Sequence, residues 1–230
     1  MATIAQTIPY HRVYVWEFPV RLFHWINALC ILLLAATGYL IGNPQAIFYS
    51  SEAYQQYWFG WVRFTHFAFS YIFLFNLLFR IYWSFVGNRY VRWNNYVPYR
   101  IEQAKGIWEV LKTDIFQINL RGKIEAGHNA LAAITYFGLF LVALFQIITG
   151  FALYSGMSNS FFPQLFAWAV PLLGGDASAR QWHHVLMWAF VVFTIIHVYL
   201  SVYHDYVEGR GTMTSIFGGW KFERDDELEK

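Results

Sequence analysis

Charged residues are scarce in this chain: Asp, Glu, Lys and Arg make up 13% of its 230 residues, against 57% hydrophobic residues. Soluble domains carry about 25% charged residues, so the shortage indicates that lipid surrounds much of the protein. The single cysteine, Cys30, excludes an intramolecular disulfide and a cluster held by several thiolates. Phosphate-binding glycine loops and nucleic-acid-binding motifs are also missing from the sequence, which leaves a membrane protein without a nucleic-acid partner.

Four apolar segments are each long enough to cross a bilayer as a helix, which takes about 20 residues. The segments predict membrane spans at residues 19–41, 61–86, 129–154 and 181–203. The residues before Arg21 contain no signal-peptide core, so we expect the first span to be retained. The sequence therefore predicts an all-α, integral membrane four-helix bundle that forms a single domain over residues 1–230.

Basic residues are distributed unevenly between the two ends of these spans. Of the 16 Lys and Arg residues, only Arg63 and Arg180 fall on the side opposite the two termini. Loops rich in Lys and Arg remain on the cytoplasmic side of a membrane. Both termini are therefore predicted to be cytoplasmic.

Two connecting segments have patterns of their own. Residues 99–116 place apolar and charged residues on opposite faces of a helix, which predicts an amphipathic helix on the cytoplasmic membrane surface. Residues 161–173 are apolar but too short to span, and Pro163 and Pro171 interrupt them. This second segment is expected to be re-entrant or interfacial, or to form a docking surface for a periplasmic partner.

Five histidines lie within the predicted spans, and four of them can be paired by their depth: His24, His66, His183 and His197. Any one of them alone is most simply a helix-end residue that hydrogen-bonds a carbonyl, but ionisable residues inside spans are costly and their joint arrangement is informative. His183 and His197 are fourteen residues apart, which is about 21 Å along a helix and about 40° around it. By the predicted topology, His66 lies at the depth of His183, and His24 lies nearer the depth of His197. The four residues therefore form two pairs, one in each leaflet.

Two imidazoles from facing helices are the axial ligands that a low-spin haem requires, whereas zinc requires more donors at one depth. The absence of a C-x-x-C-H motif means that such a haem would not be covalently attached. We therefore predict that His24, His66, His183 and His197 bind two haems of the b type, and we assign no catalytic residue. His184 points about 100° away from His183 and about 140° away from His197 on a helix, so His183, which shares a face with His197, is the preferred ligand.

Other polar and small residues in or beside the spans have two interpretations each. Gly38 allows either close approach of a porphyrin or an ordinary contact between helices. Arg80 either meets haem propionates or extends to the interface. His128 and His204 are better interpreted as interfacial polar residues than as functional ones, although titratable groups there would suit a quinone that collects protons.

The sequence resembles the b-type cytochrome subunit of membrane-bound uptake nickel–iron hydrogenases. The resemblance extends from about residue 10 to residue 205 and reaches all four spans. It rests on six stretches in order: FPVRLFHW (18–25), TGYLIG (37–42), RIYWSFVGNRY (80–90), ITGFALYS (148–155), WHH (182–184) and IHVY (196–199).

This resemblance implies a multi-pass protein of the bacterial inner membrane that passes electrons from a periplasmic hydrogenase to a quinone. His66 and His183 would hold the periplasmic-side haem, and His24 and His197 the cytoplasmic-side haem. The chain would anchor the hydrogenase small and large subunits and pack against the membrane helix of the small subunit. It would transfer electrons and reduce quinone, while another subunit splits hydrogen.

Other functions stay open on the sequence. A related dihaem cytochrome b could serve another periplasmic oxidoreductase, such as formate dehydrogenase or thiosulfate reductase, although the 80–90 stretch and the Thr-Gly motifs favour hydrogenase. A transporter or a haem-handling protein would line the middle of its spans with polar residues, and here those centres are mostly Leu, Phe, Ile and Ala. A non-redox membrane anchor would contain no haem.

Overall fold

The protein is described by a computed structural model that covers residues 10–44, 57–95, 97 and 130–224. Within them, four helices are long and apolar enough to cross a membrane. They are α1 (Phe18–Gly42), α2 (Trp58–Val86), α3 (Ala130–Ser155) and, after two short helices, α6 (Asp176–Glu208). The predicted all-α membrane architecture with four apolar helices is thereby confirmed, while the predicted amphipathic helix at 99–116 lies outside the described residues.

The shorter elements lie between and around these helices. Helices α4 (Phe161–Gln164) and α5 (Ala169–Leu172) connect α3 to α6, and α7 (Thr212–Gly218) follows α6. Strand β1 (Tyr10–Tyr14) precedes α1, and strand β2 (Trp220–Arg224) follows α7.

The outward faces of the long helices are apolar. Leu32 on α1, Phe75 on α2 and Ile195 on α6 are each about two-thirds exposed, at 66%, 65% and 66%. Exposed apolar surface on this scale is unfavourable in water and favourable in lipid, and helices satisfy their own backbone hydrogen bonds there. The helical architecture and the surface chemistry therefore agree on a bilayer as the solvent.

Helix α6 is longer than its apolar segment. It begins at Asp176 rather than at residue 181 and ends at Glu208 rather than at residue 203. Asp176 lies in the first turn, where a carboxylate interacts favourably with the helix dipole, and it pairs with Arg180 at 2.6 Å. Hydropathy marks only the part of a helix that lipid surrounds, so the polar turns at each end were not included in the predicted span.

One compact unit comprises residues 23–80 and 138–195. In it, the ring of Phe151 on α3 lies 5.0 Å from the ring of Tyr71, 5.0 Å from that of Phe162 and 5.6 Å from that of Phe166. The ring of Phe162 also lies 5.9 Å from that of Tyr71, so the apolar segment after α3 packs onto α2 and α3 by one face.

The predicted re-entrant or interfacial segment consists of the two short helices α4 and α5. Pro163 and Ala169 are buried, whereas Phe161 and Leu172 are exposed. The Gln164 amide nitrogen donates to the Ser155 carbonyl at 2.8 Å and so satisfies a backbone group at the end of α3. The segment formed by α4 and α5 thus has one apolar face that is exposed and another that is buried against the protein.

The other compact unit comprises residues 1–22, 81–137 and 196–230, in so far as they are described. Its β1 and β2 strands pair antiparallel, from Tyr10 opposite Arg224 to Tyr14 opposite Trp220. The sequence analysis did not predict this small sheet. The pairing depends on Gly219, which has a φ of 88° and where an added Cβ would lie 2.5 Å from the Tyr14 ring.

Glu17, immediately before α1, holds the end of α2 in the same unit. Its carboxylate accepts hydrogen bonds from the Trp83 indole nitrogen at 2.9 Å and from the Asn88 backbone nitrogen at 3.0 Å. The Asn88 amide nitrogen in turn donates to the Val15 carbonyl at 3.0 Å. A single carboxylate therefore joins the chain entering α1 to the turn that leaves α2.

Candidate functional site

The four predicted ligand residues lie on three of the long helices. His24 is on α1, His66 is on α2, and both His183 and His197 are on α6. Because α6 is continuous from Asp176 to Glu208, the fourteen residues between His183 and His197 correspond to about 21 Å of helix.

His66 and His183 lie side by side. Their ring centroids are 6.4 Å apart and the ring planes meet at 73°. Imidazole–metal bonds are about 2 Å long, and a ring nitrogen lies about 1 Å from its ring centre, so two imidazoles on opposite sides of one metal ion have centres about 6 Å apart. The separation of His66 and His183 therefore fits a pair of axial ligands on one iron.

His66 is seated against α1 by two adjacent residues. The Thr37 hydroxyl oxygen lies 2.9 Å from Nδ1 of His66 and 2.5 Å from the Leu33 carbonyl oxygen of its own helix. Gly38 follows, and a Cβ added there would lie 3.3 Å from Cε1 of His66. The structure thus shows a contact between helices at Gly38, made by the His66 imidazole, and the approach of a porphyrin to Gly38 stays a prediction.

His183 is seated against α3 in the same way. The Thr149 hydroxyl oxygen lies 2.9 Å from Nδ1 of His183 and 2.8 Å from the Phe145 carbonyl oxygen. A Cβ added at Gly150 would lie 3.1 Å from Cε1 of His183. Each histidine of the pair therefore contacts a Thr-Gly dipeptide on a neighbouring helix.

His184 has a different environment from His183. It faces Gly42 of α1, where an added Cβ would lie 3.0 Å from its ring, and it has no ring contact with His66 among those the structure describes. His183 and His184 therefore point in different directions, as the angle between them on a helix predicts. His183 is the one that lies beside His66.

His24 and His197 are placed in different compact units. His24 is half-buried beside Trp25, with ring centroids 5.2 Å apart, and His197 is exposed on α6. Their pairing stays a prediction, as do the ligand roles of all four histidines.

Arg80 on α2 lies inside the protein. It is 3% exposed, and its guanidinium lies 5.9 Å from the Phe23 ring centre. Asn76, one turn earlier, is also buried and donates to the Phe23 carbonyl at 3.1 Å. Arg80 is therefore enclosed by protein, and both of its interpretations, contact with haem propionates and extension to the interface, stay predictions.

Two polar residues near the end of α6, His204 and Asp205, contact neighbouring protein groups. Asp205 accepts a hydrogen bond from the Met213 backbone nitrogen at 3.1 Å, beside the start of α7. His204 packs edge-on against Tyr203, with ring centroids 5.7 Å apart. His128 lies outside the described residues.

Clusters of three or more His, Cys, Asp or Glu side chains able to hold a metal ion do not occur among residues 10–44, 57–95 and 130–224. The His66–His183 pair supplies half of the donors of a tetrahedral zinc site and the full axial set of a haem. The donor chemistry of this site therefore fits haem better than a bare metal ion.

Thr37 and Thr149 are the residues of the site that sequence reasoning did not assign. Each was visible only as part of a Thr-Gly motif, 29 residues before His66 in one case and 34 residues before His183 in the other. The signal that could have identified them is the recurrence of Thr-Gly in two different spans.

The chain is similar to a known protein family and to several named relatives over most of its length. The family model described as prokaryotic cytochrome b561 matches residues 15–219. A relative from Azotobacter vinelandii, named "Probable Ni/Fe-hydrogenase B-type cytochrome subunit", is 40% identical over 218 residues, covering 93% of this chain and 90% of its own. The "Probable Ni/Fe-hydrogenase 1 B-type cytochrome subunit" of Escherichia coli K12 is 37% identical, with 90% of each chain covered. A Rhodobacter capsulatus relative with the same type of name is 34% identical over 94% of this chain and 84% of its own.

Proposed function

The chain belongs to the prokaryotic cytochrome b561 family, and we propose that it is the dihaem membrane subunit that carries electrons from a nickel–iron hydrogenase to the quinone pool. The shared name of its relatives supports haem b as the prosthetic group and hydrogenase as the partner. In this role the protein transfers electrons and anchors the hydrogenase small and large subunits at the bacterial inner membrane. Hydrogen is split elsewhere in the complex.

The observation that carries the proposal is the 6.4 Å separation of the His66 and His183 rings. It supports His66 on α2 and His183 on α6 as the two residues that would hold one haem. When bound, the haem supplies a centre that accepts and releases one electron at a time.

The residues around the pair orient the imidazoles and keep water away. Thr37 and Thr149 hold the two Nδ1 atoms, and Gly38 and Gly150 leave room for the rings. Met187 and Phe190 follow at four and seven residues from His183, on the same face of α6, and both are 8% exposed. An apolar surrounding of this kind is one of the means by which a protein sets the potential of a haem.

His24 and His197 are the proposed ligands of the second haem. Each lies within a membrane-spanning helix, and His197 is on the same helix as His183, about 21 Å along its axis. An ionisable side chain in such a position requires a functional reason. Two centres at different depths would allow electrons to cross the apolar layer in two short steps instead of a long one.

The distribution of basic residues supports the direction of this transfer. Only Arg63 and Arg180, of the 16 Lys and Arg residues, fall on the side opposite the termini. That side is proposed to be periplasmic, which makes His66 and His183 the pair nearer the hydrogenase. The quinone is then reduced at the cytoplasmic end, near His24 and His197.

The ligand assignment predicts the haem content of single-histidine variants of the purified complex. The wild-type subunit should contain two haems per chain, and His66→Ala and His183→Ala should each contain one, because one axial ligand of the same haem is lost in both. Reduction of quinone by hydrogen should fall at least tenfold, while reduction of a soluble dye by the hydrogenase continues. The measurements are the reduced-minus-oxidised spectrum with haem-to-protein stoichiometry, and both activities.

His184→Ala is the matched control, because His184 adjoins His183 on α6 but faces Gly42. It should retain two haems and its quinone activity. Two haems in His66→Ala or His183→Ala would refute the assignment, and a purified wild-type subunit without haem would favour a non-redox anchor.

A further inference from the structure

The two histidines of the His66–His183 pair are held by the same local device on two different helices. On α1 the device is Thr37 followed by Gly38, and on α3 it is Thr149 followed by Gly150. In both cases the threonine oxygen lies 2.9 Å from Nδ1 of the histidine.

The threonine hydroxyls have their single protons committed. Thr37 Oγ1 lies 2.5 Å from the Leu33 carbonyl oxygen, and Thr149 Oγ1 lies 2.8 Å from the Phe145 carbonyl oxygen. A carbonyl only accepts, and two oxygens at such distances require a proton between them. Each hydroxyl therefore donates to its own helix and can only accept a hydrogen bond from the imidazole.

This arrangement determines which tautomer each histidine adopts. If the hydroxyl accepts, Nδ1 of His66 and of His183 must carry the proton, and Nε2 keeps its lone pair. A metal-bound histidine usually donates its second ring N–H to a nearby acceptor, which fixes the ring and raises its basicity as a ligand. The hydroxyls are in the position of that acceptor.

The adjacent glycines bring the hydroxyls within reach. A Cβ at Gly38 would lie 3.3 Å from His66, and one at Gly150 would lie 3.1 Å from His183, both closer than most real Cβ contacts. A larger residue at either position would move the ring away from the helix that carries the threonine. Thr and Gly therefore act as one unit in each helix.

We propose that Thr37 and Thr149 are positioning residues that fix the ligand tautomers of His66 and His183 and lower the potential of the haem between them. The inference rests on the proposed function, since it requires that His66 and His183 bind one haem. A more basic imidazole donates more electron density to iron and stabilises its oxidised form. Removing either hydroxyl should therefore shift the midpoint potential of that haem upward.

The test compares Thr37→Val and Thr149→Val with Thr37→Ser and Thr149→Ser in the purified complex. Valine retains the shape of threonine without the hydroxyl, whereas serine retains the hydroxyl. Both valine variants should keep two haems and show a higher midpoint potential and an altered low-spin ferric EPR signal for one haem, the same haem in both. The serine variants should return the potential and the EPR signal towards the wild-type values.

Thr194→Val is the matched control on α6. Thr194 also donates to the carbonyl four residues earlier, Phe190, at 2.8 Å, but it lies on the exposed face of the helix. Its potentials and spectra should equal those of the wild type. A purely structural role for these hydroxyls predicts that all three valine variants behave alike.

Three outcomes would overturn the inference: unchanged potentials in both valine variants, shifts in two different haems, or serine variants that resemble the valine variants. If Thr37→Val does not assemble, the potentials of Thr37→Ser and of the two Thr149 variants decide the question. If Thr149→Val does not assemble, the potentials of Thr149→Ser and of the two Thr37 variants decide it. Failure here is distinguishable from failure of the proposed function. If His66→Ala and His183→Ala each lose one haem while the valine variants show no shift, only the role of the threonines is wrong.

Discussion

Gly150 and Gly138 are residues of the same helix, yet the space around them differs. A Cβ added at Gly150 would lie 3.1 Å from the His183 ring, whereas one added at Gly138 would have no neighbour within 4 Å. The same residue type therefore has a packing role at one position and no such role at the other.

This difference predicts opposite outcomes for two alanine substitutions in α3. Gly150→Ala should displace the His183 ring by a few tenths of an ångström and reduce the content or shift the potential of one haem, measured by haem stoichiometry and redox titration. Gly138→Ala should leave the haems unchanged and gain up to about 1 kcal/mol of helix propensity. Equal haem properties in both variants would mean that the Gly150 contact has no functional role.

The residue scale also shows what helical geometry alone can predict, which is the relative direction of two neighbouring side chains. The choice of His183 over His184 followed from helical angle alone, and the structure places His183 beside His66 and His184 against Gly42. Thr37 and Thr149 could not be chosen in that way. Their partners are 29 and 34 residues distant in sequence, and no local pattern specifies which histidine a helix will meet.

At the scale of elements, Glu17 immediately precedes α1 and Asp176 is the first residue of α6. Both carboxylates make hydrogen bonds. Glu17 is half-buried and accepts from Trp83 and Asn88 in another part of its unit. Asp176 pairs with Arg180 on the same helix, where the two side chains are 59% and 56% exposed. Solvent screens the second pair, so similar chemistry should contribute differently to stability.

We expect Glu17→Ala to lower the free energy of unfolding by about 1–3 kcal/mol, because it leaves the Trp83 indole and the Asn88 backbone nitrogen without their acceptor. Asp176→Ala should cost less than about 1 kcal/mol. Thermal unfolding of both variants in the same detergent provides the measurement. A loss for Asp176→Ala that equals or exceeds that for Glu17→Ala would contradict this view of how α1 is attached.

The strands show why some elements were not predicted. Apolar length predicts a membrane helix from within one segment, but β1 and β2 exist through pairing between residues at opposite ends of the chain. Tyr14 and Trp220, which lie opposite each other, become strand residues because each segment supplies backbone hydrogen bonds that the other lacks. A search along the sequence has no means of matching the two.

At the scale of the whole molecule, the orientation of the four helices is a prediction from charge that labelling can test. Cys30 is buried, so it gives little background to a thiol reagent. Asn159, after α3, and Thr214, in α7, are both exposed and belong to the two proposed opposite sides of the membrane.

In intact cells stripped of their outer membrane, a membrane-impermeant maleimide should label Asn159→Cys and leave Thr214→Cys unlabelled. After permeabilisation, both variants should react. The reverse pattern would place the termini in the periplasm and exchange the proposed sides of the two histidine pairs. Cys30→Ala without a further cysteine is the control for background.

Composition and apolar segment length alone determined that this protein lies in a membrane as four helices, because burying backbone in lipid leaves few alternatives. Histidine spacing on α6 likewise indicated two levels of ligands, because helix rise and turn are constant. Tertiary structure alone decided that Thr37 lies against His66, that Thr149 lies against His183, and that Glu17 reaches Trp83. These contacts depend on how side chains from separate helices meet, and no rule that operates within one segment specifies that.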